Sequence, residues 1–470
     1  MPADLLSQLA AAIGPAHVLT GDDAARYGRE WTGKYRWQPL AVLRPADTAG
    51  VAAVMRIAGR AGVAVVPVGG RTGLTGATMA EGALMLSLER LNRIRSIRPE
   101  ARVAVVEAGV ILSTLHERAA AEGLAFPLTF GARGSAMIGG CLSTNAGGSN
   151  VLRYGNARAL CLGLEVVLAD GRVMDLLGAL HKDNSGYDLR DLFIGAEGTL
   201  GIITAATLKL VPAPRAHATA LLALPSLDPA LALLNRLQAV TGGAVEAFEY
   251  MPDLYMDRLA KHRPDLASPL AGRPAVTILV EIATTLPALS DPGADGSVPL
   301  TALLQGELEA LAEAGTLTDA VVAQTGAQRA RLWAMREAAA EITLDRRPLV
   351  DCDIAVPLDR VAEFLALMAP RLAALDPDAE IMVVAHLGDG NIHYTAYPTR
   401  TDAALDDAIR AEVDRSATEL GGSFSAEHGI GLSKRGSMAR HKDPVALELM
   451  RALKAAFDPK GILNPGKTLP

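Results

Sequence analysis

Three loops of this chain contain more glycine than ordinary turns require. Six glycines fall within the eighteen residues of 131–148, four within the ten of 67–76, and three within the seven of 195–201. Glycine lets a backbone approach a ligand closely and turn its N–H groups towards a phosphate, because no Cβ intervenes. The loops together predict a domain that lies along an extended, phosphate-bearing cofactor. For the loop 67–76 alone, a plain surface turn is the simpler explanation.

The composition excludes several other classes of protein. The 470 residues suffice for two or three domains, and 45 Lys plus Arg against 52 Asp plus Glu give a net charge of −7. Without a basic tract, neither nucleic acid nor an anionic membrane is expected as the main partner. Three cysteines without a CxxC pair exclude a disulfide framework and an iron–sulfur cluster. The chain shows neither a secretory signal nor an apolar membrane span, so we expect a cytoplasmic protein. The sequence leaves open whether the protein forms a homodimer.

The first half of the chain alternates short β-branched runs with helical stretches, which predicts an α+β fold. Asp170-Gly171 lies between two such runs and predicts a hairpin. The expected strands are Val63–Val68, Leu84–Leu88, Val103–Ala108, Leu164–Leu168 and Ile202–Leu210, and the expected helices are Ala49–Arg60 and Ser113–Ala121.

The composition changes after Pro212-Ala213-Pro214, where we place a domain boundary. The second half predicts one antiparallel sheet covered on a face by helices, a cap or substrate domain. The domains are predicted as 1–214, 215–430 and 431–470, the last being a C-terminal helix and tail that return to the first domain. The expected strands are Val276–Ile282, Asp353–Val356, Ile381–Ala385 and Ile392–Ala396, and the expected helices are Pro229–Val240, Ala302–Ala314, Gln328–Thr343, Leu358–Ala374 and Asp402–Glu419.

Two motifs with histidine and carboxylate predict a metal site. His386 and His393 flank the turn Gly388-Asp389-Gly390-Asn391, which must bring the two imidazoles together, and Glu427-His428 lies in a second glycine-flanked segment. Two imidazoles and one carboxylate form a three-ligand set with an open position, as a catalytic Zn²⁺ requires. His428, next to the ligand Glu427, is a candidate general base. The alternative for any one of these histidines is a buried or turn-stabilising role.

Six motifs, in order along nearly the whole chain, carry a resemblance to a known family. They are PVGGRTGLTG, IGGCLSTNAGG, LFIGAEGTLGIIT, HLGDGNIHY, AEHGIG and FDPKGILNPGK. The combination resembles the vanillyl-alcohol-oxidase and p-cresol-methylhydroxylase flavoprotein superfamily, in the branch of D-2-hydroxyglutarate dehydrogenase, D-lactate dehydrogenase and the glycolate oxidase flavin subunit. The resemblance implies a two-lobed FAD-binding domain of the p-cresol-methylhydroxylase type, followed by an α+β cap.

The resemblance also implies which residues contact FAD. Some members of the superfamily hold the flavin covalently through a histidine in the first loop, where this chain has Arg71 and no histidine, so we expect non-covalent FAD. The implied cofactor residues are Pro67, Gly69, Gly70, Arg71, Thr72, Gly73, Leu74, Ser135, Gly139, Gly140, Ser143, Asn145, Gly147, Gly148, Gly201, Ile202 and Asn464.

The resemblance implies that His386, His393 and Glu427 bind the metal, that His428 is the base, and that Arg336 binds the substrate carboxylate. A guanidinium suits that role because it holds a carboxylate by two parallel hydrogen bonds; a solvated helix face is the alternative for Arg336. The chain departs from the hydroxyglutarate enzymes at two positions. Their lysine for the distal carboxylate is replaced by Asp351, and a threonine is replaced by Ala340.

These observations predict an FAD-dependent dehydrogenase that oxidises a D-2-hydroxy acid to the 2-oxo acid. Hydride would pass to the flavin N5, and the electrons would pass to an electron-transfer flavoprotein or a quinone-linked partner. One alternative is D-2-hydroxyglutarate dehydrogenase proper, with Arg346 or Arg347 in place of the missing lysine. Two alternatives from other classes are a metallohydrolase and a non-catalytic FAD electron-transfer subunit.

Overall fold

A computed structural model describes residues 2–470 of the chain, which form two compact units. The first unit comprises the residues up to Gly147, then Gly155–Pro212 and Glu427–Pro470. The second unit comprises Gly148–Tyr154 and Ala213–Ala426. No helix within residues 2–470 is both long and apolar enough to cross a membrane.

The strands lie in both units. In chain order they are β1 Val18–Leu19, β2 Ala41–Leu43, β3 Val65–Val68, β4 Leu84–Ser87, β5 Ile94–Arg98, β6 Val103–Glu107, β7 Leu124–Ala125, β8 Cys161–Val167, β9 Val173–Leu176, β10 Ile202–Lys209, β11 Val211–Pro212, β12 Ala216–Leu224, β13 Val245–Pro252, β14 Val276–Thr284, β15 Asp319–Val322, β16 Val350–Ala355, β17 Glu380–His386 and β18 Asn391–Tyr397.

The α-helices are accompanied by three short 3₁₀ turns at Pro15–His17, Pro264–Leu266 and Leu358–Arg360. In chain order the helices are α1 Pro2–Ile13, α2 Asp22–Ala25, α3 Thr48–Ala61, α4 Leu112–Ala120, α5 Ile138–Thr144, α6 Val151–Tyr154, α7 Arg190–Phe193, α8 Ala230–Thr241, α9 Asp253–His262, α10 Pro287–Ser290, α11 Pro299–Glu313, α12 Gly326–Glu337, α13 Ala339–Leu344, α14 Val361–Leu375, α15 Ala403–Glu419, α16 Arg435–His441 and α17 Pro444–Phe457.

The first unit contains two main sheets. One has four strands in the order β1-β2-β4-β3, with parallel pairing of β4 to β2 and β3. The other has five antiparallel strands in the order β5-β6-β10-β8-β9. The predicted hairpin is confirmed: Val167 of β8 pairs with Val173 of β9, and Gly171 between them has a φ of 79°. Only a residue without Cβ adopts that conformation without strain.

The second unit is built on one antiparallel sheet of seven strands, in the order β15-β12-β14-β13-β17-β18-β16. Buried leucine, valine and isoleucine side chains join one face of the sheet to α8, α11, α14 and α15. The opposite face carries a second apolar cluster that includes residues of α9, α12 and α13. The antiparallel sheet is as predicted, whereas helices cover both of its faces rather than one.

The sequence pattern predicted neither β12 nor β13, and β12 lacks the composition typical of strands. β12 reads AHATALLAL, and alanine and leucine are common in helices while β-branched residues favour strands. Burial within a sheet, with β14 and β15 on either side, overrides this local preference. The predicted helix Gln328–Thr343 is interrupted at Ala338, so α12 and α13 are separate helices.

Candidate active site

A line of polar contacts joins α12 to the sheet of the second unit. A capping box formed by Thr325 and Gln328 begins α12, and Arg329, Trp333 and Arg336 then share one face at spacings of four and three residues. Two of these side chains bind Glu281: the Arg329 guanidinium at 2.6 and 2.7 Å and the Trp333 indole N–H at 2.8 Å. The helix is therefore fixed to a buried carboxylate of β14.

Arg336 donates from Nε to a second buried carboxylate, Glu249 of β13, at 2.9 Å. Its side chain is nearly buried, at 9% exposed, and Nη2 has no hydrogen-bond partner within residues 2–470. An unpaired buried donor costs about 1–3 kcal/mol, so such a group favours a ligand that can accept from it. A bound carboxylate is the matching acceptor for a guanidinium.

Glu249 also binds His386, because the Nδ1 atom of that imidazole lies 2.9 Å from the carboxylate. Burial would raise the pKa of Glu249, but attraction to His386 and Arg336 and their hydrogen bonds hold it below its usual value. A carboxylate at one ring nitrogen orients the imidazole and leaves the other nitrogen for a metal. The sequence did not single out Glu249, since it lies 137 residues from His386 in a strand that was not predicted.

The two histidines flanking the predicted turn lie on neighbouring strands, with their ring centroids 5.4 Å apart. His386 ends β17, and His393 follows in β18, which pairs antiparallel with it. The Asp389 carboxylate accepts the N–H of Asn391 at 3.0 Å and so stabilises the turn between them. This is the turn role that the sequence predicts for Asp389.

Asp353 is a further carboxylate near His393 that the sequence did not single out. It is directly opposite His393 in the β16–β18 pair, its carboxylate lies 4.0 Å from Nδ1 of His393, and it accepts from the Asn391 amide at 2.9 Å. Asp353 is 2% exposed. The sequence did contain one signal for Asp353: it lies two residues after Asp351 in an otherwise apolar strand, and residues two apart lie on the same face of a strand.

The next pair along the same two strands joins Asp351 to Thr395. The threonine hydroxyl donates to the Asp351 carboxylate at 3.0 Å. Arg346, one of the two candidate substitutes for the missing lysine, forms an ion pair with Glu380 at 2.5 Å and lies over the Tyr397 ring. Arg347 is exposed.

Glu427 and His428 begin the C-terminal part of the first unit, since the chain passes from the second unit to the first between Ala426 and Glu427. The His428 Nε2 atom lies 3.6 Å from the Glu427 carboxylate, and both side chains are about one-fifth exposed. Ala426, the residue before them, donates its N–H to the carbonyl of Asp353 at 3.4 Å.

The second unit holds another histidine and carboxylate group, formed by His217, Glu246 and Glu281. Both carboxylates are already bound by arginines: Glu246 by Arg153 at 2.9 Å and Glu281 by Arg329. Positive charge that is supplied by the protein itself removes the need for a cation. This group is therefore explained by packing.

In the first unit, the first two glycine loops lie against each other. A Cβ on Gly70 would lie 2.0 Å from the Ser135 carbonyl oxygen, and a Cβ on Gly69 would lie 3.4 Å from Met137. Any larger residue at Gly70 would separate the loops, which explains the glycine there. By contrast, a Cβ on Gly73 or Gly140 would meet nothing within 4 Å in the described chain outside its immediate neighbours. Open backbone of this kind suits a cofactor.

Asn464, in the C-terminal motif, tests whether the first unit fits FAD. Its amide donates to the carbonyl oxygens of Ala77 at 3.1 Å and Glu197 at 2.8 Å. Its Oδ1 is buried and has no hydrogen-bond partner within the part of the chain that is described. The flavin and adenine rings of FAD both have N–H donors, and a buried acceptor of this kind fits such a donor.

Several other predicted cofactor residues have contacts within the protein. The Asn145 side chain accepts the N–H of Arg158 at 2.9 Å, and Arg71 lies over the Tyr27 ring. Ile202 is buried in an apolar cluster of the first unit. Gly147 ends a segment of the first unit, and Gly148 begins the second unit. The side chains of Asn145, Arg71 and Ile202 thus support the loops, which leaves the backbone atoms of these positions for contact with a cofactor.

Comparison with known proteins identifies the class. Residues 213–468 match the family of FAD linked oxidases, C-terminal domain, and residues 39–177 match an FAD binding domain. The fold resembles p-cresol methylhydroxylase, with a TM-score of 0.75 and 16% identity over 99% of this chain and 96% of that one. It also resembles alkyldihydroxyacetonephosphate synthase, with a TM-score of 0.72 and 17% identity over 98% and 85% of the two chains. These likenesses show the p-cresol-methylhydroxylase type of fold.

Relatives in sequence narrow the class. The chain is 37% identical to D-2-hydroxyglutarate dehydrogenase of Xanthomonas citri pv. viticola, over 95% of this chain and 92% of the relative. It is 38% identical to the mitochondrial D-2-hydroxyglutarate dehydrogenase of Bos taurus, over 97% and 82%. The chain therefore belongs to the D-2-hydroxyglutarate dehydrogenase family of FAD-linked oxidoreductases. Membership of this family is inconsistent with the metallohydrolase alternative.

Proposed function

We propose that the protein oxidises a D-2-hydroxy acid to the 2-oxo acid and passes the electrons to an external acceptor, such as an electron-transfer flavoprotein or a quinone-linked partner. The observation that carries this proposal is the unpaired Nη2 of Arg336, buried beside Glu249 and His386. A guanidinium with one nitrogen, Nη2, still without an acceptor, beside an imidazole that suits a metal, is the arrangement that a 2-hydroxy acid requires. Bound FAD would take the hydride from the α-carbon of the substrate.

His386, His393 and Glu427 are the proposed ligands of a divalent metal, Zn²⁺. The donor set fits, because two imidazoles and one carboxylate leave a coordination position for substrate. Such a metal would polarise the substrate hydroxyl and lower its pKa. Within the second unit, Glu249 orients the His386 ring, and Asp353 lies beside His393. The hydrogen bond between Glu249 and His386 is the kind of support that metal-binding histidines commonly have.

His428 is the proposed general base, which takes the proton from the substrate hydroxyl. Its imidazole is partly exposed, and its Nε2 atom lies 3.6 Å from the Glu427 carboxylate. Arg336 binds the carboxylate next to the reacting carbon. The chain thus contributes a proton acceptor, His428, and a group that orients the substrate, Arg336.

Asp351 favours substrates that have only one carboxylate. Burying the second carboxylate of 2-hydroxyglutarate without a cation would cost several kcal/mol. Asp351 carries the wrong charge, and Arg346 is already paired with Glu380. We therefore propose D-2-hydroxy acids with one carboxylate, D-lactate among them, as the preferred substrates.

The second candidate substrate is D-2-hydroxyglutarate itself. It is favoured by the names of the relatives, which cover nearly the whole chain. Under this alternative, Arg346 would leave Glu380, or exposed Arg347 would turn towards the substrate, to supply the missing charge.

Anaerobic flavin reduction tests the proposal directly. The purified protein is mixed without oxygen with D- and L-2-hydroxy acids, and the loss of flavin absorbance is followed. We expect bleaching by D-2-hydroxy acids with one carboxylate, slower bleaching by D-2-hydroxyglutarate, and none by the L-enantiomers. Absence of bleaching by every 2-hydroxy acid would contradict the proposed reaction. Faster bleaching by D-2-hydroxyglutarate would favour the second candidate.

The attachment of FAD is tested on the same preparation. Because Arg71 stands in the loop where some relatives have an anchoring histidine, acid precipitation should release all of the yellow colour into the supernatant. Colour that remains in the washed pellet would contradict non-covalent binding.

A further inference from the structure

Glu197 is a buried carboxylate of the first unit that binds the segment after His428. It lies in the third glycine loop, between α7 and β10, and is 5% exposed. The N–H of Ile430 donates to its Oε1 at 2.8 Å, and the N–H of Gly431 donates to its Oε2 at 2.9 Å. Each carboxylate oxygen thus fixes one peptide group of the His428 loop, which we define as residues 427–431.

The His428 loop has little room to move around Glu197. A Cβ on Gly429 would lie 3.1–3.3 Å from the Glu197 carboxyl group, and one on Gly431 would lie 2.4 Å from the Thr75 carbonyl oxygen. The backbone φ values at Gly429 and Gly431 are 77° and 51°, which favour glycine. The loop therefore packs by its backbone against both neighbours, and its conformation depends on those contacts.

Glu197 is itself held by the other glycine motifs. Its N–H donates to the Ser143 carbonyl at 2.8 Å, and its carbonyl accepts from the Asn464 amide at 2.8 Å. The hydroxyl of Thr468, near the C-terminus, donates to its carboxylate at 3.3 Å. One residue thus connects the second glycine loop, the His428 loop and the C-terminal motif.

We propose that Glu197 is a positioning residue, which fixes the His428 loop so that Glu427 and His428 keep their orientation. The inference rests on the proposed function in one respect, the assignment of His428 as base. Both carboxylate oxygens are needed, because each accepts from a different peptide N–H. A glutamine has the same size but only one acceptor oxygen, so one of the two N–H groups would face another donor.

Glu197→Gln tests this role, with Glu107→Gln as the matched control. Glu107 is also a buried carboxylate of the first unit, fully enclosed, which accepts a backbone N–H and two arginine side chains. The first measurement is amide hydrogen exchange, which does not depend on activity. We expect exchange at Ile430 and Gly431 to accelerate by about tenfold in Glu197→Gln and to stay unchanged in Glu107→Gln.

The second measurement is turnover, with FAD content determined for each variant. Glu197→Gln should lower kcat by about 10–100-fold while KM and FAD content stay near wild type, since a misplaced base slows the chemical step. Glu107→Gln should keep kcat, and Glu197→Asp, which retains both acceptor oxygens, should recover part of the loss.

Three outcomes would overturn the positioning role: unchanged exchange at Ile430 and Gly431, a kcat within twofold of wild type, or a loss of kcat in proportion to lost FAD. Failure of the proposed function has a different signature. Full turnover in His428→Ala would contradict the base assignment, whereas accelerated exchange in Glu197→Gln would still establish that Glu197 anchors the loop.

Discussion

Each of the two units buries a glutamate next to residues proposed for catalysis, but the surroundings of the two carboxylates differ. In the second unit, Glu249 binds the side chains of His386 and Arg336, and their attraction lowers its pKa although it is buried. In the first unit, Glu197 binds mainly backbone N–H groups. Burial raises the pKa of Glu197, and the hydrogen bonds from Ile430 and Gly431 offset only part of that rise.

The difference shows two ways of building a site. Charged side chains stabilise a buried carboxylate more strongly than neutral peptide groups do, so they suit a unit that must orient polar ligands. Peptide groups define the path of the backbone instead, and they suit loops that lie along a cofactor. The following substitutions test whether the chemistry depends on the side-chain site of the second unit as strongly as this comparison implies.

The largest effect is expected for His393→Ala. Removal of one proposed ligand should abolish metal binding and lower kcat by roughly 10³-fold, because a catalytic metal contributes several kcal/mol of transition-state stabilisation. FAD should remain bound, since its proposed residues are almost all in the first unit. Metal content, flavin absorbance and turnover are measured together.

His217→Ala is the control for the loss of a histidine from the same sheet. Its neighbouring carboxylates already bind arginines, so metal content should not change. Full activity of a demonstrably metal-free wild-type sample would contradict the proposed metal. Loss of metal in His217→Ala but not in His393→Ala would instead assign the metal site to His217, Glu246 and Glu281.

Arg336→Ala should have the next largest effect. Loss of charged hydrogen bonds to the substrate carboxylate, worth about 1.5–3 kcal/mol, should lower kcat/KM by about 100-fold for every 2-hydroxy acid. Arg336→Lys should recover only part, because an ammonium cannot bind a carboxylate by two parallel bonds. Arg331→Ala, on the exposed side of the same helix, should leave kcat/KM unchanged. A loss confined to dicarboxylic substrates would instead assign Arg336 to the distal group.

Asp351→Lys should shift substrate specificity towards D-2-hydroxyglutarate by about tenfold. A cation in place of the anion should raise kcat/KM for D-2-hydroxyglutarate by that factor, which corresponds to ~1.4 kcal/mol of transition-state binding. Asp359→Lys makes the same change of charge at an exposed position outside the sheet and should have no such effect. If wild type prefers D-2-hydroxyglutarate and Arg346→Ala with Arg347→Ala removes that preference, the two arginines replace the missing lysine.

The smallest effect is expected for Glu281→Gln, which concerns stability alone. Attraction and hydrogen bonds from Arg329 lower the pKa of buried Glu281 despite burial, so the folded state favours its charged form. This stabilisation is present above the ordinary glutamate pKa and is lost as the pH falls through the lowered value. Because the Arg329 side chain is 38% exposed, we expect the variant to lose only about 1–2 kcal/mol at pH 7.

Thermal unfolding at pH 7 and at a pH below about 4 measures this difference, which should shrink in acid. Glu307→Gln, which removes a more exposed ion pair with Arg236, should change the melting temperature little at either pH. An equal loss for Glu281→Gln at both pH values would show that packing, rather than charge, accounts for the effect.

The sequence by itself determined the features that depend on local backbone. Asp170-Gly171 predicted the β8–β9 hairpin, and the Asp389 turn predicted that His386 and His393 meet. In each case a short segment has few allowed conformations, so its residues specify its path. The assignment of the glycine loops to the cofactor stays a prediction. The antiparallel sheet of the second unit was predicted from the order of strands and helices along that half of the chain.

Only the tertiary structure revealed the partners that hold the site residues. Glu249 meets His386 across 137 residues, and Glu197 meets Ile430 across 233. Such contacts follow from strand register and loop packing, which local sequence does not encode. The same holds for β12, whose alanine and leucine run forms a strand only because β14 and β15 flank it. The types of side chain needed for the proposed chemistry were visible in the sequence, but the buried carboxylates beside them were set by long-range packing.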